Sequence, residues 1–349
     1  TETLREVKVT RKLHYVPSRP KGLRRVISEL SFGFRLLPSS FRKVDARLVV
    51  SPALLSSWLF ALVSRSWSRK TPLVVWVQDL YGLGMEQIAG SGFVSRALLK
   101  LETQLFTMAN HVVTIHETMS AALQSKYSVP AEKITLIRNW SHVGFNPIKE
   151  PVDKTVGQLK EDFIVMHTGN MGVKQGLDNV VAAAKIAEEM GLPIKFVLVG
   201  DGSEKKALVE LAGVCGNISF LPPVDADKYI ETLGEADVLL VNEVPELTDM
   251  AFPSKLTSYF SSGKPVIAAT NPKSATAQEL LVAKAGWVVE PGQPELLVKK
   301  VMELRDKHQA LREAGLSGLA HAQLELTEST AVNKMDILLR DLIETTGIY

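Results

Sequence analysis

Residues 163–178, FIVMHTGNMGVKQGLD, carry the reading that settles the fold. An apolar run, Phe163–His167, enters a loop containing Gly169, Gly172 and Gly176. Beyond it, Leu177, Val180, Val181, Ala184 and Ala187 recur at helical spacing. A strand that passes through a glycine loop into an amphipathic helix is the repeating unit of a parallel sheet covered by helices. Glycines there let backbone N–H groups approach an anion, the helix start adds partial positive charge, and Lys174 supplies a full one. The spacing is neither G-x-x-x-x-G-K-[ST] nor G-x-G-x-x-G, so neither a P-loop nor a dinucleotide fingerprint is supported. A glycine-rich turn without a ligand stays as the alternative.

Working outward, the same alternation extends in both directions and predicts an α/β fold. Strands are expected at Ala46–Val50, Leu73–Val77, His111–Ile115, Ile134–Ile137, Lys195–Val199, Ile218–Leu221, Val238–Val241, Pro265–Ala269 and Gly286–Val289. Between two of them Val94, Ala97, Leu98, Leu101, Leu105 and Met108 mark one helix face, read as core. Asn139–Gly157, with Pro147 and Pro151, breaks the rhythm and reads as a linker. It separates an N-terminal domain, residues 1–150, from a C-terminal one, residues 155–328. A last apolar stripe, Val332, Met335, Leu338, Leu339 and Leu342, gives a helix in 329–349 that is expected to pack back on the first domain. The chain opens at a strand-like Val7–Val9 with no glycine-rich turn before it, so the first domain reads as small or as incomplete at its start.

Two further junctions add to the glycine loop. VLVGDGSE, residues 197–204, puts Gly200, Asp201 and Gly202 at a second strand end, the edge where open α/β sheets bind ligands. A tight turn with Asp201 or Ser203 capping the next helix is the simpler account. In FPSKLTSYFSSGKPVIAAT, residues 252–270, Pro253 and Ser254 open a short helix and Lys255 lies in its first turn. A cation there opposes the helix dipole, which makes sense if an anion sits at the same end. In the first half, Gln78 and Asp79 follow a strand; Asp79 reads as a contact for a sugar hydroxyl or attacking group, or as an ordinary loop carboxylate. Asp225-Ala-Asp227 matches a metal-binding pattern in letters but reads as a helix cap. The seven histidines show no metal spacing, His116 reads as structural, and Cys215 lacks a catalytic partner.

Composition narrows the class. A single cysteine among 349 residues excludes an internal disulfide and suits a reducing compartment. Residues 1–150 hold 21 Lys and Arg against 10 Asp and Glu, a net of +11, while the remainder holds 19 against 28, a net of −9. Of that basic excess, 15 cations against 4 anions precede residue 71, which points to phosphates or an anionic surface. The uncharged run Leu48–Ser64 contains Pro52 and is too short to span a bilayer. In residues 19–43, RPKGLRRVISELSFGFRLLPSSFRK, Arg24, Arg25, Arg35, Arg42 and Lys43 alternate with Leu23, Ile27, Leu30, Phe34 and Leu36. That pattern suits an interfacial helix on an anionic membrane, or a plain surface helix.

Taken together, VQD at 77–79, NW at 139–140, GNMGVKQGLDNVVAAA at 169–184, VGDGSE at 199–204, FPSKLTSYFSSGKPVIA at 252–268 and GWVVEPGQPE at 286–295 resemble glycosyltransferase family 4. The nearest branch builds bacterial exopolysaccharide and O-antigen units. The resemblance runs from about residue 45 to the C-terminus. It implies the GT-B fold, two Rossmann-like domains with parallel sheets facing across a cleft. It implies a nucleotide-diphosphate sugar as donor, retention of anomeric configuration, and neither metal nor cofactor. Lys174 and Lys255 would take catalytic roles with Asp79, which would touch the transferred sugar or acceptor. Gly169, Asn170, Gly172 and Gly176 would cradle the diphosphate with Pro253, Ser254 and Leu256, while Gly200, Asp201, Gly202 and Val224 would border the nucleotide. The acceptor would be a polyprenyl-diphosphate-linked or other saccharide, met by a cytoplasmic enzyme held peripherally on the inner face of the plasma membrane. No nucleic acid is expected, since the basic region shows no recognised binding motif.

The chain departs from that family twice. Met250 and Ser258 stand where many members carry paired glutamates, the second a ribose contact, and the family's first strand and glycine-rich loop have no counterpart. Two other readings share the fold: a sugar-nucleotide epimerase, and a non-catalytic module that regulates a partner transferase.

Overall fold

The computed structural model describes residues 2–4, 6–18, 22–51, 53–84, 92–141, 162–245 and 254–346. It divides into two compact units, Thr1–Ile137 with Asn333–Tyr349, and Arg138–Val332.

In the first unit a short antiparallel hairpin, β1 (Glu2–Leu4) and β2 (Val7–Val9), precedes helix α1 (Leu23–Ser40). Then β3 (Arg47–Ser51), α2 (Leu54–Trp67), β4 (Leu73–Val77), α3 (Phe93–Met108), β5 (His111–Thr114), α4 (Glu117–Tyr127) and β6 (Ile134–Leu136) form a parallel four-stranded sheet in sequential order. Central β4, LVVWV, hides Leu73, Val74, Val75 and Val77 completely, as expected of a strand covered on both faces. Helix α1 crosses α2 at Gly33, where a Cβ would come within 3.2 Å of the Ser56 backbone. The predicted helix of residues 19–43 thus exists from Leu23, while Arg19 to Lys21 lie outside the described residues.

The second unit contains β7 (Phe163–Asn170), α5 (Asp178–Glu189), β8 (Ile194–Asp201), α6 (Lys205–Ala212), β9 (Ile218–Leu221), α7 (Ala226–Gly234), β10 (Val238–Asn242), α8 (Ser254–Ser261), β11 (Val266–Ala269), α9 (Ala275–Val282), β12 (Gly286–Val289), α10 (Pro294–Arg305) and α11 (His308–Glu325). Its sheet is parallel with order β12-β11-β10-β7-β8-β9. Val165, Phe196, Leu198 and Leu240 meet Val180, Val181 and Ala184 of α5 in one buried core. A final helix, α12 (Glu328–Thr345), straddles the division at residue 332, and the residues read as a linker, from 142 to 157, lie outside the described ones.

Strand order locates the site. From β7 the chain proceeds to β8 and β9 on one side, then returns to place β10 on the other. The crevice at the carboxyl ends of β7 and β10 is therefore the topological switch point, where open α/β sheets bind ligands.

Candidate donor site in the second unit

Two glycine loops meet at this edge and interlock. The β7–β8 ladder continues past the apolar residues, pairing Gly169 with Gly200 and Asn170 with Asp201. Gly200 has φ +142°, and a Cβ there would lie 1.9 Å from the Gly169 carbonyl oxygen; a Cβ at Gly202 would lie 2.4 Å from that of Met171. The Met171 N–H donates to the Asp201 carbonyl at 2.8 Å, the Glu204 N–H to that of Met171 at 2.9 Å, and Lys205 Nζ to that of Gly200 at 2.7 Å. Gly200 and Gly202 are thus required first by the neighbouring loop. Gly169, at φ +112° with nothing within 4 Å of a built Cβ, faces open space.

Below the first loop, Val173–Gln175 form a 3-10 turn closed by Gly176 in the left-handed region. Buried Asn242, the last residue of β10, donates through Nδ2 to the carbonyls of Gln175 and Gly176, each at 2.8 Å, and accepts from Asn179 Nδ2 at 2.8 Å. Val244 N–H donates to the Lys174 carbonyl at 3.1 Å. The backbone of the turn is therefore fixed to the switch point while the Lys174 side chain stays exposed.

Lys255, in the first turn of α8, is partly buried, and its Nζ lies 3.3 Å from His167 Nε2. Burial pushes the ammonium down to about 8, against the pull of Glu243. His167, fully buried in β7, is held well below the usual imidazole range by burial and by Lys255, so it is neutral. An ammonium only donates, so Nε2 accepts and the ring proton sits on Nδ1, which donates to the Leu240 carbonyl at 3.2 Å. Glu243, just past β10, accepts from Thr276 Oγ1 at 2.8 Å and from Thr270 Oγ1. Burial raises its carboxyl despite those hydroxyls and Lys255. Beside them, buried Tyr259 accepts the Thr168 N–H at 2.9 Å, and Thr168 Oγ1 meets Tyr229 at 2.8 Å.

Two family models cover most of the chain: a glycosyl transferase 4-like domain over residues 2–140, and glycosyl transferases group 1 over residues 149–315. The second spans the glycine loops, Glu243 and Lys255. The chain belongs to glycosyltransferase family 4. It is 29% identical over 268 residues to WcaI of Escherichia coli K12, named as a colanic acid biosynthesis glycosyl transferase; the match covers 71% of this chain and 64% of WcaI. The fold is GT-B. Anabaena HepE in complex with UDP aligns at TM-score 0.69 and 16% identity, covering 90% of this chain and 84% of HepE. Sucrose-phosphate synthase from Thermosynechococcus elongatus aligns at 0.72 and 17%, covering 95% and 81%.

Within the second unit, Gly169, Asn170, Gly172, Lys174, Gly176 and Lys255 gather at the one switch-point edge, Gly200, Asp201 and Gly202 beside them. Ser254 is exposed at the start of α8, and Pro253, Phe252 and Met250 lie outside the described residues. Leu256 is fully buried, so only its backbone could serve a ligand. Val224 is partly buried in the segment after β9. Asp201 does not cap α6; its carboxylate accepts the N–H of adjacent Gly202 at 2.9 Å, and Ser203 donates to Glu204. Asp225 stands at the N-cap of α7 without a side-chain cap bond. His116 does cap α4, accepting the Met119 N–H at 3.1 Å. Ser258 hydrogen-bonds Tyr229. Among the described residues, no group of three His, Cys, Asp or Glu is arranged to hold a metal.

Asp79 belongs to the first unit, just beyond β4. The turn after it is held by Glu102, which the sequence pattern does not single out. This buried carboxylate accepts N–H bonds from Tyr81 at 2.7 Å and Gly82 at 3.0 Å and the Tyr127 hydroxyl at 2.5 Å. Sequence reading also missed His167, Asn242 and Glu243. A polar residue ending an apolar strand, as in VLLVNE, was their one signal.

Proposed function

We propose that the protein transfers a sugar from a nucleotide-diphosphate sugar to a saccharide acceptor in cell-surface polysaccharide synthesis. The observation that carries this is the partly buried Lys255 ammonium at the switch point, 3.3 Å from His167 in the strand that leads into the open Gly169 and the exposed Lys174. Fixed positive charge of this kind stabilises the diphosphate as it takes the electron pair of the breaking glycosidic bond. The two lysines supply that charge without a metal or cofactor. Nucleotide-sugar binding is supported by the HepE complexes with UDP and with UDP-glucose. The polysaccharide context is supported by WcaI, of whose length the chain spans 64%.

In this reading transfer retains configuration, with Asp79 touching the sugar or acceptor. The acceptor is polyprenyl-diphosphate-linked, and the enzyme works peripherally at the cytoplasmic face of the plasma membrane. What supports the membrane assignment is α1, which leaves Leu23 73% and Phe34 61% exposed beside exposed Arg24 and Arg35. No described helix is long and apolar enough to cross a membrane.

The deciding experiment is calorimetric titration with UDP-, GDP- and dTDP-sugars. One of them is expected to bind, and Lys255→Ala to weaken it at least tenfold, about 1.5 kcal/mol or more for a lost charge-assisted bond. Binding by none of them would overturn the assignment.

A further inference from the structure

We propose that Glu243 and His167 are positioning residues for Lys255: the carboxylate is its standing counter-charge and the neutral imidazole aims its ammonium at the ligand anion. The inference rests on Lys255 contacting the donor diphosphate, as argued above.

Three elements supply the parts. His167 comes from β7, Glu243 follows β10, and Lys255 opens α8. The imidazole is doubly fixed, its Nδ1–H on the Leu240 carbonyl of the neighbouring strand and its Nε2 on Lys255. Fully buried and neutral, it presents Nε2 to Lys255 as a hydrogen-bond acceptor and does not act as an acid. Glu243 is fastened in turn by Thr270 and Thr276. Its hydroxyl partners satisfy carboxylate oxygens and leave its charge to act on Lys255 through space. Among the described residues, the titratable groups facing Lys255 are these two; the Tyr259 hydroxyl is turned to Thr168.

A lysine taken out of water at a helix N-terminus loses protons readily. Glu243 opposes that loss in the empty site. An incoming diphosphate opposes it further, so binding takes up a proton wherever Lys255 is partly neutral, and affinity is full below about pH 8 and falls above it.

The test uses the whole protein and UDP, with GDP as second probe, titrated from pH 7 to 9.5 in two buffers of different ionisation enthalpy. This range lies above the nucleotide's own phosphate ionisation, near pH 6. Wild type is expected to take up protons near pH 8 and to lose affinity by about tenfold per pH unit above it. Glu243→Gln should move this break to lower pH while keeping most of the affinity at pH 7, a pattern that a merely damaged fold would not produce. His167→Phe should weaken binding at every pH, and His167→Gln, which keeps an acceptor, should recover part of it. Wild-type proton uptake and the His167 pair test the idea even if Glu243→Gln does not fold. A pH-independent wild-type affinity, or a Glu243→Gln break unchanged from wild type, overturns the proposal alone. Wild-type affinity in Lys255→Ala, or no binding of either nucleotide, overturns the donor-site reading with it.

Discussion

Each unit hides a carboxylate, and the two are held in opposite ways. Among the described residues, Glu102 in the first unit is met only by neutral donors, two backbone N–H groups and the Tyr127 hydroxyl, and burial lifts its carboxyl above the ordinary value. Glu279 in the second is also penalised by burial, but His321 at 2.7 Å and Arg138 at 3.0 Å override that and hold it below the ordinary value. The contrast shows two uses of one side chain. Glu102 serves as a clasp that shapes the turn behind Asp79. Glu279 is the centre of an ionic knot that ties the start of the second unit, at Arg138, to α9 and α11.

Breaking the knot should have the largest effect. Arg138→Ala removes the permanent counter-charge of a buried carboxylate, leaving it His321, and is expected to cost about 3 kcal/mol, read as a lower denaturation midpoint. A midpoint equal to wild type would show that the ion pair gives no net stability. The knot also has a pH signature. A carboxyl depressed in the folded state contributes stability above its unfolded value of 4.5, and loses it as pH falls through the lower folded value. Acid titration of wild type should show this loss in the second unit, and Arg138→Ala should flatten it.

Next comes the loop pair. Gly200→Ala forces a Cβ against the Gly169 carbonyl as well as a disfavoured φ, and is expected to cost about 2–3 kcal/mol. Gly169→Ala meets only the backbone penalty, about 1 kcal/mol. Equal melting temperatures for the two variants would refute the interlock.

The clasp should matter less. Glu102→Gln keeps one acceptor oxygen for its N–H partners and is expected to cost about 1–2 kcal/mol. Its pH signature runs opposite to the knot's. Because the folded carboxyl is raised, wild type gains stability as pH falls from that raised value toward 4.5, and the variant should lose this slope. Smallest in stability is Asp79→Asn, which keeps the side chain's size and is expected to cost about 1 kcal/mol or less. It should nonetheless lower sugar transfer by about 100-fold or more if the carboxylate acts in proton transfer; undiminished turnover would remove Asp79 from the site.

These contrasts also mark what the sequence reveals by itself. Leu73–Val77, Ile218–Leu221 and Gly286–Val289 stand where apolar runs and turn residues predict. β7 and β8 run on to Asn170 and Asp201, three and two residues beyond the expected ends, because paired glycines extend the ladder where no hydrophobic pattern can show it. Val7–Val9 is a strand as expected, but it pairs with Glu2–Leu4 in a hairpin outside the parallel sheet. Lys255 was legible because a cation at a helix start is locally anomalous. His167 and Glu243 were not, because their meaning lies in strand neighbours: β10 lies beside β7 only after the chain has built β8 and β9. Arg138 and Glu279, separated by 141 positions, leave no local trace at all.

The interlocked glycine loops set a rule for anyone redesigning this protein. Residues 169–176 and 200–204 touch through main chain, so neither can be exchanged with a relative's loop on its own. A graft that carries one without the other joins surfaces shaped for different companions. Donor preference should therefore travel between family members as a two-part cassette, in the laboratory and over the course of descent alike.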